Sequence, residues 1–169
     1  MWRHVNFPHG CTVALAGCLF VSFGCAADAA TATTTMTVQV TITATCTINS
    51  ASTLNFGTQG VLATNVDQTS TIQVTCTNTT RYNIGLDAGT GTGATVATRK
   101  LTSGANTVNY TLYSNSGRTT VWGDTVSTDT VAGTGNGSAQ NYTVYGRIPA
   151  QTTPAPGSYT DTITVTVTY

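Results

Sequence analysis

Five apolar residues recur at alternate positions near the start of this chain, and a matching set closes it. Met36, Val38, Val40, Ile42 and Ala44 alternate with Thr37, Gln39, Thr41 and Thr43. Tyr159, Ile163, Val165, Val167 and Tyr169 alternate with Thr160, Thr162, Thr164, Thr166 and Thr168. A period of two with one apolar face describes a half-buried β-strand and fits no helix. Ends of domains are ordinarily polar and poorly held. Apolar strands at both extremities therefore point to ends that pair with something.

The first 29 residues read as a secretory leader. A weakly positive start at Arg3 precedes an apolar run from Cys11 to Phe23, and small residues follow at Ala26, Ala27, Ala29 and Ala30. This is the layout of a signal peptide, with cleavage expected near 27–29, after Ala27 or Ala29. The run is short for a membrane span. Leu15-Ala16-Gly17-Cys18 also has the form of a lipoprotein box, but Leu19 to Phe23 stay apolar where such a box is followed by polar residues. Residues 30–45 are then expected to form an N-terminal strand, and residues 46–169 one domain.

Removal of the leader takes away His4, His9, Cys11, Cys18 and Cys25. What is left holds no His and no Glu, and its acids are a few Asp residues. Without His, a Ser or Cys nucleophile lacks its usual base. No catalytic, cofactor-binding or metal-binding residue is assigned, and the chain is not expected to be an enzyme. Asp87, Asp124, Asp129 and Asp161 show none of the spacing of a calcium loop and are expected to brace turns. Cys46 and Cys76 remain; in an oxidising compartment an isolated pair is most simply a disulfide. Two thiols alone are too few for a metal.

Charges are scarce and balanced. Nucleic acid needs a basic patch, so it is excluded as a partner. Threonine is the commonest residue, and a Thr- and Val-rich, Glu-free composition favours strands over helices. Alternation recurs at Ile72/Val74/Cys76, Tyr82/Ile84/Leu86, Val108/Tyr110/Leu112 and Tyr142/Val144. Glycine loops at Gly89–Gly93 and Gly133–Gly137 read as hairpin tips rather than phosphate cradles. Short strands between frequent turn signals indicate an all-β sandwich.

Trp122 with Tyr82, Tyr110, Tyr113, Tyr142 and Tyr145 has two readings: a sugar-stacking platform, as in a secreted carbohydrate-binding module, or core and sheet-face packing. Thr33 to Thr45 carries the sharper signal. Edge strands are normally guarded by Lys, Pro or a bulge, and this segment has no such guard. It can serve as the first strand of its own sandwich. Alternatively it can leave the domain and complete the sheet of a neighbour, which is directional strand addition that runs head to tail into a fibre.

Here the sequence resembles the spore coat protein U domain family, which includes subunits of archaic chaperone–usher pili. The resemblance rests on Cys46-Thr47-Ile48, Leu54-Asn55-Phe56-Gly57, Val74-Thr75-Cys76, Arg99-Lys100-Leu101, Tyr110-Thr111-Leu112-Tyr113 and Trp122-Gly123-Asp124. It continues through Val144-Tyr145-Gly146-Arg147-Ile148-Pro149 and Pro156-Gly157-Ser158-Tyr159-Thr160-Asp161 to Val165-Thr166-Val167-Thr168-Tyr169. It implies an incomplete immunoglobulin-like β-sandwich, completed by donor-strand complementation, with a disulfide joining the first two strands. It implies export through the periplasm to the cell surface or medium, with a periplasmic chaperone, an outer-membrane usher and copies of the same or related pilins as partners. On that reading residues 31–45 are the donor strand, with plugs Met36, Val38, Val40, Ile42 and Ala44. Ile163, Val165, Val167 and Tyr169 line the acceptor groove and meet the chaperone. The expected function is a structural pilus subunit serving attachment and biofilm formation; a spore-coat setting is the family's other context.

Overall fold

The structure is a computed structural model and describes residues 29–169, so the leader readings up to residue 28, the Cys18 box included, lie outside the described residues. The described chain falls into two parts, 29–39 and 40–169. In the first, no residue joins a sheet, and Met36 and Val38 are each 84% exposed.

The second part is all β: β1 (Cys46–Ala51), β2 (Val66–Cys76), β3 (Arg81–Leu86), β4 (Arg99–Ser103), β5 (Asn106–Tyr113), β6 (Val131–Thr134), β7 (Ala139–Ile148) and β8 (Val165–Thr168). Five strands form one sheet in the order β1-β2-β7-β5-β4, and three form a second in the order β6-β3-β8. Every pairing is antiparallel. Antiparallel strands need one buried face only, which is why the sequence alternates. Ile72, Val74 and Cys76 of β2, Tyr82, Ile84 and Leu86 of β3, and Val108, Tyr110 and Leu112 of β5 all turn inward and are buried. Val144 and Ile148 of β7 join them, with Phe56, Leu62 and Trp122 supplied by loops.

Cys46 and Cys76 stand directly opposite in the β1–β2 ladder and form the disulfide. In the chain-entropy view, closing a 30-residue separation restricts the unfolded chain by roughly 3–4 kcal/mol. Beside it the chain is pinned again: the Thr77 amide donates to the Thr45 carbonyl at 2.9 Å, and the Thr45 amide donates to Thr77 Oγ1 at 3.1 Å.

Two readings of the sequence are corrected. Gly133 is not in a hairpin tip but inside β6, where a Cβ would run into the Tyr82 ring. The glycine is there for close approach of an aromatic side chain, a known use of glycine within strands. The terminal alternation is also not one continuous strand. Tyr159 to Thr164 precede β8, touching the sheets through a bridge from Thr160 to Thr102 and through bonds to Asp87.

Candidate functional site

Two edges of the sandwich lack ladder partners among the described residues and lie beside each other. There, β1 pairs only with β2, and β8 pairs only with β3. Between the end of β1 and the approach to β8 lies a cavity of about 300 Å³. Its walls include Leu54 on one side and Ile163 and Val165 on the other, and Ile72, Leu112 and Val144 belong to its apolar lining. Gly146 lets the loop reach in, since a Cβ there would collide with Leu54 and Phe56. The groove continues into a larger cleft of about 910 Å³ between residues 53–62 and 153–161, sharing Thr53, Leu54, Phe56, Leu101 and Asp161 with the first. An open slot with Ile72, Leu112 and Val144 in its lining, running between the end of β1 and the start of β8, is of a kind that an added β-strand can fill.

Of the acceptor residues expected from sequence, Ile163 and Val165 border this cavity. Val167 points inward and is half-buried against the core. Tyr169 lies past the end of β8 and is 61% exposed. The expected donor residues contrast with Ile163, Val165 and Val167. Met36, Val38, Val40 and Ile42 are 77–84% exposed, and residues 29–45 lie in no strand. The strand read from their alternation is therefore not paired, because an extended segment becomes a ladder only when a second edge satisfies its backbone groups.

Aspartates fix the approach to the groove. Asp161 Oδ1 accepts bonds from the Thr90 amide (2.8 Å), the Thr90 hydroxyl (2.9 Å) and the Thr162 amide (2.8 Å). Its Oδ2 accepts from the Tyr110 hydroxyl at 2.7 Å. Burial, with the adjacent Asp161 carboxylate, pushes the Tyr110 phenol well above its ordinary range. Asp87 Oδ1 accepts from the Thr164 amide (2.9 Å) and the Gly89 amide (3.0 Å). Burial pushes the Asp87 carboxyl up, but the bonds from Thr164 and Gly89 and the Arg99 charge outweigh it and hold the group below the usual carboxylate range. These are the turn-bracing roles expected for Asp87 and Asp161.

Sequence reasoning missed Arg99. It is fully buried, and its guanidinium donates only to backbone carbonyls: Nε to Asp87 (2.8 Å), Nη1 to Val96 (2.8 Å), and Nη2 to Leu86 (2.8 Å) and Trp122 (2.7 Å). Burial depresses its pKa. One side chain thus gathers the end of β3, the start of β4 and the Trp122 loop, a task suited to the five fixed donors of arginine. Nothing in Arg99-Lys100-Leu101 marks the first cation as inside and the second as outside.

The aromatic platform does not assemble. Trp122 is 1% exposed and its indole N–H donates to the Ile84 carbonyl at 2.8 Å. Tyr82 and Tyr110 are also buried, so none of the three presents a face to a sugar. Tyr113 and Tyr145 lie opposite each other on the outer face of the large sheet, where the Arg118 guanidinium covers the Tyr145 ring at 5.7 Å.

Comparison with known proteins agrees with this geometry. Among solved structures, the fold is similar to a chain in the pre-assembly complex of the chaperone CsuC and the tip adhesion subunit CsuE, from the archaic chaperone–usher Csu pili of Acinetobacter baumannii. The TM-score is 0.55 at 25% identity, over 76% of this chain and 40% of that one, so the likeness spans well under half of that longer chain. No curated protein sequence matches. The spore coat protein U domain matches residues 32–166, from the unpaired segment ahead of Cys46 into β8. A match that takes in both the unpaired segment and the open groove makes this chain a member of the spore coat protein U domain family.

Proposed function

We propose that this chain is a pilus subunit, exported through the periplasm and polymerised head to tail at the cell surface by donor-strand exchange. Residues 31–45 of one copy fill the groove of the next, with Met36, Val38, Val40, Ile42 and Ala44 as plugs and Ile163, Val165, Val167 and Tyr169 on the acceptor side. Before assembly a periplasmic chaperone covers the groove, and an outer-membrane usher exchanges it for the neighbour's segment. The fibre serves attachment and biofilm formation.

The observation that carries the reading is a mismatch within one molecule: an exposed, alternating apolar segment that joins no strand among the described residues, and an open groove with apolar residues in its lining between the end of β1 and the approach to β8. Burying four such side chains contributes on the order of 6–12 kcal/mol gross, at about 1.5–3 kcal/mol each. A contact between two different surfaces does not close on itself and so propagates. The family and the similarity to a chain of a chaperone–subunit complex support the choice of partners.

Gel filtration of the exported protein, with and without residues 31–45, tests the reading. Polymers from the full chain and monomers from the truncated one are expected. Polymers that persist after truncation would overturn it, as would a full chain that stays monomeric without a chaperone.

A further inference from the structure

Resting on that donor-strand reading, we infer that Asp161, held by Tyr110 and Thr90, is a positioning residue. It fixes Ile163 as a wall before the incoming strand arrives, and so sets the rate of strand entry and not the strength of the finished joint.

The wall needs such help because of where it lies. Thr160 exchanges backbone bonds with Thr102 of β4 in the large sheet, its amide donating at 3.1 Å and its carbonyl accepting at 2.8 Å. Val165 pairs with Leu86 of β3 in the small sheet. Between them the chain passes from one sheet to the other, and Asp161 to Thr164 belong to no strand. Ile163 borders the cavity from within this passage. An apolar side chain on such a stretch, facing an open groove, gains by folding back to leave water. That movement would narrow the slot that a strand must enter.

Side-chain bonds take the place of the missing ladder. Asp161 stands where the cavity and the larger cleft meet, lining both. Its Oδ2 is tied to Tyr110, on the inward face of β5 in the large sheet. Its Oδ1 is tied to the amide and hydroxyl of Thr90, in the loop that leaves β3 of the small sheet. One carboxylate thus spans both sheets at the crossing. Gly89 closes over it, at a position where a Cβ would run into the carboxylate. On the other flank of Ile163, the Thr164 amide donates to the Asp87 carboxylate, and the Asp87 amide donates to the Thr164 carbonyl at 3.2 Å. Ile163 is pinned on both sides with no ladder of its own.

A wall ordered in advance spares the incoming strand the entropy of ordering it. Once the strand is seated, its own ladder bonds hold the wall, and the carboxylate adds nothing to retention. Loss of the network therefore slows association and leaves dissociation alone. A bond that served only the stability of the domain would change neither rate.

The exported protein at nanomolar concentration, mixed with an excess of a labelled synthetic peptide of residues 31–45, gives both rates by fluorescence anisotropy. Asp161→Ala should slow association about tenfold, the scale of one hydrogen bond to a charged group, with dissociation unchanged. Asp161→Asn keeps an acceptor for Thr90 and a partner for Tyr110, and should restore most of the rate. Asp129→Ala releases a comparable brace, on the Thr125 amide, and should alter neither rate. Wild-type association in Asp161→Ala, faster dissociation in its place, or equal slowing by Asp129→Ala would each overturn the positioning role. Should Asp161→Ala fail to fold, Thr90→Val removes only the hydroxyl bond from an exposed loop. It should slow association by a smaller factor, and an unchanged rate there would overturn the role equally. A wild-type chain that takes up no peptide would overturn the donor-strand reading itself, and this role with it.

Discussion

The two ends of this chain are written in nearly the same code and meet opposite fates. Met36 to Ala44 and Ile163 to Tyr169 both alternate apolar residues with threonine or glutamine. At the carboxyl end the alternation is spent within the molecule: Val165 and Val167 face the core, and β8 takes its hydrogen bonds from β3. At the amino end none of it is spent, and the same kinds of side chain stand almost wholly in solvent. Period-two alternation specifies a face to bury but not where the burial happens. That is decided by which edges remain open once the rest of the sheet has formed.

The sharpest way to break this comparison is to place one charge at each end. Val40→Asp should leave the thermal midpoint of the isolated domain unchanged and abolish polymers, because Val40 contacts no core. Val167→Asp should unfold or strongly destabilise the domain, by roughly 2–4 kcal/mol, since it strands a carboxylate against apolar neighbours. Paired measurements of thermal midpoint and polymer yield separate the two. A loss of domain stability from Val40→Asp would mean that the amino-terminal segment already belongs to the fold of its own copy.

Next in size are the devices that hold the domain while its groove stays open. Replacing Cys46 and Cys76 by Ser should cost about 3–4 kcal/mol, read by denaturant unfolding. It should also loosen β1, which like β8 has a single ladder partner among the described residues. Arg99→Met keeps much of the volume and strands four carbonyls in the core. A loss of about 3 kcal/mol or more is expected, at the scale of leaving buried polar groups unpaired. Arg99→Lys should recover only part of it, since an ammonium has three donors and no fork.

Much of this was legible in the sequence, and the limits have physical causes. The buried faces of β2, β3, β5 and β7 follow from alternation because a strand has only two sides. β4 and β6 do not, being too short to show a period and carrying Arg-Lys in one case and Gly in the other. Arg99 was illegible because arginine is almost never fully buried unless paired, and its partners here are carbonyls, which any sequence supplies. The groove was legible only as a vacancy implied by the ends. Its walls come from residues 51–54 and 161–165, over a hundred positions apart, and no local pattern joins them. The amino-terminal segment stood out because it lacks the Lys, Pro or bulge that edge strands ordinarily carry.

The smallest expected effect concerns how the carboxyl end is held at the mouth of the groove. The Asp87 carboxylate accepts from the Thr164 amide, one residue before β8, and its pKa is held below the ordinary 3.8. A carboxyl whose folded pKa is depressed adds stability that is present above its unfolded value and lost as the pH falls through the folded one. Wild type should therefore exceed Asp87→Asn in thermal midpoint near neutrality by a small margin, and the gap should close as the pH drops below 3.8. Asparagine keeps the shape and one acceptor oxygen, so the difference isolates the charge. Asp67, bonded to Arg147 and likewise depressed, is common to both proteins and cancels. The amino-terminal segment carries no titratable side chain between Ala29 and Thr45, so acid should weaken the joint from the β8 side alone. A gap that stays constant through acid would show that Thr164 is held by its backbone bond to Asp87 and owes nothing to the carboxylate.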